Sequence, residues 1–115
     1  MNDHCVFCKI IAGDLPADIL YRDEQVVAFR DRQPAAPTHL LIVPTHHIPS
    51  LHEAAETDAP WLGHVLVVAR QLAEEHGLHP DGYRVVINTG ENANQTVFHL
   101  HAHLLGGKPL SRMTR

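Results

Sequence analysis

Apolar residues gather in short runs or alternate with polar ones over most of the chain, and only one stretch carries a long helical period. Residues 5–12 (CVFCKIIA) predict a short helix closed by Gly13, the residue that most easily takes a left-handed cap. Residues 18–21 (DILY) and 25–29 (QVVAF) are β-prone runs parted by the polar residues 22–24, the pattern of a hairpin. Pro34 and Pro37 exclude regular strand over 31–38, which is read as a loop. Residues 39–43 (HLLIV) predict a buried strand stopped by Pro44.

The long helix spans 60–76, with Asp58 placed as its N-cap and Pro60 in its first turn. At about 100° per residue, Trp61, Leu62, Val65, Leu66, Val68, Ala69, Leu72 and Ala73 cover an arc of roughly 160°, wider than the ~100° stripe of an ordinary surface helix. Two readings follow: a helix deeply buried in a small domain, or one that also packs against a second subunit. Strands are predicted over 83–87 and 97–105, separated by residues 88–96, which are rich in turn formers and side-chain amides. Five strands in hairpin-like succession, one long helix and one or more short ones give an α+β fold with a five-stranded antiparallel sheet. No repeat or composition break divides the chain, so residues 1–115 are read as one domain.

Composition narrows the possible partners. Nine Lys and Arg against 13 Asp and Glu give a net charge of −4, without a basic cluster, so no nucleic-acid partner is expected. The longest apolar run, 65–69, is far short of the ~20 residues that span a bilayer, and no membrane role is expected. The first residues lack a basic region followed by an apolar stretch, which favours a cytoplasmic location with reduced thiols. The unusual feature is 11 histidines.

Three of them fall in Phe98-His99-Leu100-His101-Ala102-His103-Leu104-Leu105-Gly106-Gly107. On a strand, alternate side chains share a face, so His99, His101 and His103 line one side while Leu100, Ala102 and Leu104 enter the core. The spacing separates neighbouring histidines by ~6.5–7 Å and the outer pair by ~13 Å, too far for all three to ligate one ion. A donor-rich row of imidazoles suits an anionic substrate such as a phosphate.

This segment resembles the histidine-triad (HIT) pattern, His-apolar-His-apolar-His-apolar-apolar, in its Hint-like, bacterial-type branch. The likeness extends through Phe7-Cys8-Lys9-Ile10-Ile11, Pro16-Ala17, Ala28-Phe29, Asp31, Ala36-Pro37-Thr38-His39, Val43-Pro44, His47-Ile48, Gly63-His64, Gly82-Tyr83-Arg84, Asn88, Gly90 and Gln95. The resemblance implies a purine nucleoside phosphoramidate hydrolase or nucleotidyl transferase that works through a covalent nucleotidyl-histidine and needs no catalytic metal. It makes His101 the nucleophile, with its tautomer fixed by the backbone carbonyl of His99. His103, if protonated, would offset charge on the phosphate oxygens, and Thr96, Gln95 and Asn88 would donate to phosphate or leaving group. It also implies a base site from Val6, Phe7, Ile10 and Phe29, a ribose-binding acid at Asp31, and a homodimer.

The pair Cys5-Val6-Phe7-Cys8 admits three readings: buried inert thiols, a redox pair, or half of a tetrahedral zinc site. By the same resemblance, the zinc ligands would be Cys5, Cys8, His47 and His99, in a structural role that withdraws His47 from substrate. Several positions depart from the family pattern. Ala102 is small, Arg32 stands where relatives often carry an apolar residue, and the tail from Lys108 to Arg115 lacks an aromatic extension. Two other functions compete: a dinucleoside polyphosphate hydrolase of the Fhit type, and a nucleotide-binding regulatory protein with incidental turnover. The Gly-Tyr-Arg and Ala-Pro-Thr-His segments weigh against the first, and an intact His101 against the second.

Overall fold

The computed structural model describes residues 4–113, so the last two residues of the tail lie outside the described part. Helix α1 (Val6–Ala12) leads into strands β1 (Ile19–Arg22), β2 (Val26–Arg30) and β3 (Thr38–Pro44). Two 3₁₀ turns precede helix α2 (Ala59–Glu75), and strands β4 (Tyr83–Val86) and β5 (Ala102–Gly106) follow it. All five strands form one antiparallel sheet in the order β1-β2-β3-β5-β4. The expected architecture is present. Among the described residues no helix is long and apolar enough to cross a membrane.

The side-chain alternation of β2, β3 and β5 divides the interior in two. Val26, Ala28, Leu40, Ile42, Ala102 and Leu104 face α2 and pack on its Val65, Val68, Ala69, Leu72 and Ala73. The intervening residues, Val27, Phe29, Leu41 and Val43, face the other way and meet Phe7, Cys8 and Ile10 of α1. Ala102 is fully buried in the α2 layer. The predicted helical stripe is only partly buried, since Leu66 remains 51% exposed, and beside it Val67, outside the stripe, is exposed as well.

Local chemistry explains the element ends. Gly13 closes α1 in the left-handed region at φ 86°, its N–H returning to the Ile10 carbonyl. Asp23 turns the β1–β2 hairpin: its Oδ1 accepts from the N–H groups of Gln25 and Val26 at 2.7 and 2.8 Å. Its Oδ2 takes the Tyr21 hydroxyl and His64 Nε2, both at 2.6 Å, which ties the hairpin to α2. Burial pushes the Asp23 carboxyl up, but the bonds from His64, Tyr21 and the two amides outweigh it and hold it well below the usual range. Asp58 does stand at the start of α2, yet its carboxylate caps differently from expectation. It accepts from the Ala55 N–H at 2.8 Å and the Trp61 indole N–H at 3.0 Å, not from the helix amides.

The last strand is the main correction. It begins at Ala102, not at residue 97, and His99 and His101 precede it. Pro44 ends β3, and its carbonyl accepts from the His99 ring instead of from a neighbouring strand, at 2.8 Å. The Leu100 N–H goes to the Ile48 carbonyl at 2.8 Å, which draws the chain out of the ladder.

Leu72 is the largest α2 side chain that is essentially fully buried in this layer. Leu72→Ala is expected to lower unfolding stability by about 2–5 kcal/mol, the cost of a core cavity, as read from denaturant midpoints.

Candidate active site

The face opposite α2 collects the histidines. His39 and Leu41 of β3 pair with Leu105 and His103 of β5, which sets the His39 and His103 rings diagonally on one side of the sheet. Their centroids lie 5.2 Å apart, and those of His101 and His103 lie 5.0 Å apart. His101 donates Nδ1–H to the backbone carbonyl of His99 at 2.8 Å. That bond places the proton on Nδ1 and leaves a lone pair on Nε2, the state a nucleophilic imidazole requires. The edge of Phe7 meets His101 at a ring separation of 5.0 Å and 89°, so the ring is held against tilting as well.

His39 is the residue that sequence reasoning missed as a member of the site. It appeared within Ala36-Pro37-Thr38-His39, and its position on a predicted buried strand was the available signal, since a buried imidazole needs a polar partner. Its Nδ1 accepts from the Ala35 N–H at 2.9 Å, which puts the hydrogen of the neutral ring on Nε2. His39 Nε2 lies 2.9 Å from His103 Nδ1, which must then accept, leaving His103 with N–H on Nε2. In the free protein this is the pattern of a neutral ring, not of the protonated one on which a charge-offsetting role for His103 would depend. Burial, reinforced by His101 and His39 and only partly offset by Asp31, pushes it down to about 4. Burial also lowers His101, against the opposing pull of the His99 carbonyl and Asp31, and lowers His39 against Asp31.

Asp31 sits at the end of β2, its Oδ1 accepting from the Gln33 N–H at 2.8 Å and its Oδ2 lying 3.3 Å from His39 Nε2. Phe7, Ile10 and Phe29 are buried together beneath the histidines, whereas Val6 is 46% exposed. Val6 and Thr96 line an open notch of about 280 Å³ with His4, Cys5, His47, Val97 and Phe98. Asn88 is half-buried just past β4. Gln95 differs from expectation. Both of its amide hydrogens are engaged, by the Pro49 carbonyl at 2.7 Å and the Val97 carbonyl at 3.0 Å, while Oε1 accepts from the Gly90 N–H. It has no side-chain hydrogen left for phosphate; what it does is fix the loop that carries Thr96.

Cys5, Cys8, His47 and His99 come together with their ligand atoms all within 4.8 Å of one another. Cys5 Sγ is 3.3 Å from His99 Nδ1, Cys8 Sγ is 3.3 Å from His47 Nδ1, and the two Nδ1 atoms are 3.1 Å apart. Metal–sulfur bonds of ~2.3 Å and metal–nitrogen bonds of ~2.0–2.1 Å at tetrahedral angles give edges of about 3.4–3.6 Å for such pairs. His99 Nε2–H is committed to the Pro44 carbonyl, so its Nδ1 lone pair faces the thiols. Donor type, spacing and tautomer all suit a metal ion. Burial, eased by the Pro44 bond and deepened by His47 and His101, pushes His99 down to about 4.

Asp31, His39 and His103 also approach closely enough to suggest a second metal group. The Ala35 N–H argues against it. Coordination through His39 Nε2 would move that ring's hydrogen onto Nδ1, where it would point at another donor.

These arrangements define a histidine-lined site on a small α+β sheet, and the comparisons give it a family. The model for "Scavenger mRNA decapping enzyme C-term binding" matches residues 4–114. A purine nucleoside phosphoramidase of Escherichia coli K12 is 44% identical over 113 residues, covering 98% of this chain and 95% of the relative. A HIT-like protein of Synechococcus elongatus is 47% identical over 111 residues, covering 96% of each. A solved HIT family hydrolase of Clostridium thermocellum superposes with a TM-score of 0.94 at 46% identity, covering 97% of both chains. One from Legionella pneumophila gives 0.93 at 42%, covering 94% of this chain and 96% of the other. The chain belongs to the histidine-triad family.

In metal-free protein, His99 and His103 ionise near 4 when folded and near 6.5 when unfolded. Between those values the unfolded chain binds protons that the folded chain refuses, so stability must fall as pH falls from about 6.5 towards 4. Thermal melts across that window are expected to show a falling Tm, with a shallower slope in His103→Gln.

Proposed function

We propose that the protein is a purine nucleoside phosphoramidate hydrolase and nucleotidyl transferase, with His101 as nucleophile. The observation that carries this reading is the His101 Nδ1–H bond to the His99 carbonyl, which leaves Nε2 as the attacking atom. Likeness to a purine nucleoside phosphoramidase over nearly the whole chain supports the substrate class. In the first step Nε2 bonds to the α-phosphorus as the phosphorus–nitrogen bond breaks, and the amine leaves with a proton taken up from solvent. In the second, water attacks phosphorus and gives up a proton to solvent as the bond to Nε2 breaks, releasing the nucleoside monophosphate and restoring the Nε2 lone pair. His103 donates a neutral Nε2–H bond to a phosphate oxygen, and Thr96 offers its hydroxyl from the loop that Gln95 holds. Asp31 accepts from the ribose hydroxyls, Val6 borders the base, and Phe7, Ile10 and Phe29 form the apolar floor beneath it.

Cys5, Cys8, His47 and His99 would hold a zinc ion, which supplies no step of the reaction and fastens the start of α1 to the segment that orients His101. A second copy of the chain is the partner that the exposed Leu66 and Val67 of α2 best fit. Two cysteines that form no disulfide suit a reducing cytoplasm.

Mixing wild type with a slowly turned-over adenosine phosphoramidate and quenching within one cycle is expected to leave an adenylyl group on residue 101, seen by peptide mass. His101→Ala should lose at least ~10³-fold in kcat and form no adduct. Turnover by His101→Ala at the wild-type rate would remove the assignment. Protein purified without chelator is expected to carry about one zinc per chain by elemental analysis, and Cys8→Ser to carry far less.

A further inference from the structure

A single hydrogen on His39 stands between two parts of the site that bind different parts of a substrate. Ala35 N–H fixes that hydrogen on His39 Nε2. It is directed to His103 Nδ1 at 2.9 Å, while the Asp31 carboxylate oxygen Oδ2 lies 3.3 Å from Nε2, close enough to attract it electrostatically. Asp31 cannot turn away freely, because its Oδ1 is held by the Gln33 N–H and its backbone N–H by the His39 carbonyl. His103 has no other fixed partner for Nδ1, and among the described residues its Nε2 makes no hydrogen bond. Its tautomer is set by what His39 gives it.

We propose that His39 is a positioning residue that couples ribose binding at Asp31 to phosphate binding at His103. With Asp31 vacant, the carboxylate draws on the Nε2 hydrogen of His39 and weakens its bond to His103. When ribose hydroxyls donate to Asp31, that oxygen is satisfied and the hydrogen goes wholly to His103 Nδ1. His103 is then locked with its own N–H on Nε2, directed to the phosphate. No proton changes hands; the coupling is a redistribution of one hydrogen bond. The charge of Asp31 acts on both His39 and His103, raising each against the effect of burial, so the three groups share one electrostatic environment.

The inference rests on Asp31 being the ribose acceptor and deepens the proposed function from binding to control of rate. It makes the ribose diol a contributor to kcat as well as to KM. The test compares adenosine phosphoramidate with its 2′,3′-dideoxy counterpart in wild type and in His39→Leu. Wild type is expected to show a kcat ratio of about three- to tenfold in favour of the ribose substrate, the worth of roughly one hydrogen bond. In His39→Leu the kcat ratio should collapse to near one while the KM ratio persists. A kcat ratio that is unchanged in the variant overturns the proposal. A second measurement avoids dependence on the fold of the variant: ¹⁵N shifts of the His103 ring in wild type, titrated with adenosine or with dideoxyadenosine. Adenosine alone should shift the His103 Nδ1 resonance in the direction of a stronger hydrogen bond accepted from His39; ring nitrogens equally indifferent to both nucleosides overturn the coupling. Absence of turnover in wild type would instead refute the phosphoramidate reading, and the nucleoside titration would still decide the coupling.

Discussion

The bond from His101 Nδ1 to the His99 carbonyl is the constraint on which the rest of the site depends. A neutral imidazole has one lone pair, and this bond decides which nitrogen carries it. The carbonyl can serve only because His99 itself is fixed at three points. Its ring gives Nε2–H to Pro44, its Nδ1 faces Cys5 and His47, and the next N–H is held by Ile48. The interruption of the β5 ladder before Ala102 is thus part of the device. A regular strand through residue 99 would have sent that carbonyl to a neighbouring strand, and it could not have faced the ring two residues ahead.

The two-layer interior keeps stability and chemistry on different sides of one sheet. Aliphatic residues pack on α2 without polar groups to satisfy, as in Leu40, Ile42 and Leu104. The opposite layer mixes Phe7, Phe29 and Leu41 with thiols and imidazoles, and each buried polar atom there has a partner. Every second residue of β3 belongs to each layer, so a one-residue slip of register would exchange His39 for Leu40 and destroy both. The clamp of Asp23 on His64 matters for the same reason, because it fixes the edge hairpin relative to α2.

Much of this was legible in the sequence, and the reasons differ by element. The hairpin, β3, α2 and β4 follow from runs of apolar residues with turn formers between them, and their ends moved by only a residue or so. The alternation of the triad put His99, His101 and His103 on one face, and their rings do share it, since the extended backbone continues past the end of the ladder. The ladder's true start could not be read, because it depends on Pro44 and Ile48 accepting bonds from residues more than 50 positions away. His39 received no role, and Gln95 one that its bonds do not leave open, for a related reason. A histidine on a buried strand and an amide in a polar loop become specific only when their partners are known, and Ala35, His103, Pro49 and Val97 are brought to them by the fold. The cysteine pair lay between these cases: its spacing suited a helix start, but only folding brings His47 and His99 to it.

Crowding imidazoles together has an electrostatic result that suits the proposed chemistry. His101 and His39 lower the proton affinity of His103, His47 and His101 lower that of His99, and burial, the largest cause, acts in the same direction on both. These shifts favour the neutral form of His39, His101 and His103, and neutrality is what a nucleophile needs. A positively charged row would bind phosphate more tightly but would have no lone pair to offer. The site resolves this conflict by using hydrogen-bond direction in place of charge. Ala35, His39 and the His99 carbonyl specify the tautomers, and the carboxylate of Asp31 stands beside the row, 3.3 Å from His39 Nε2.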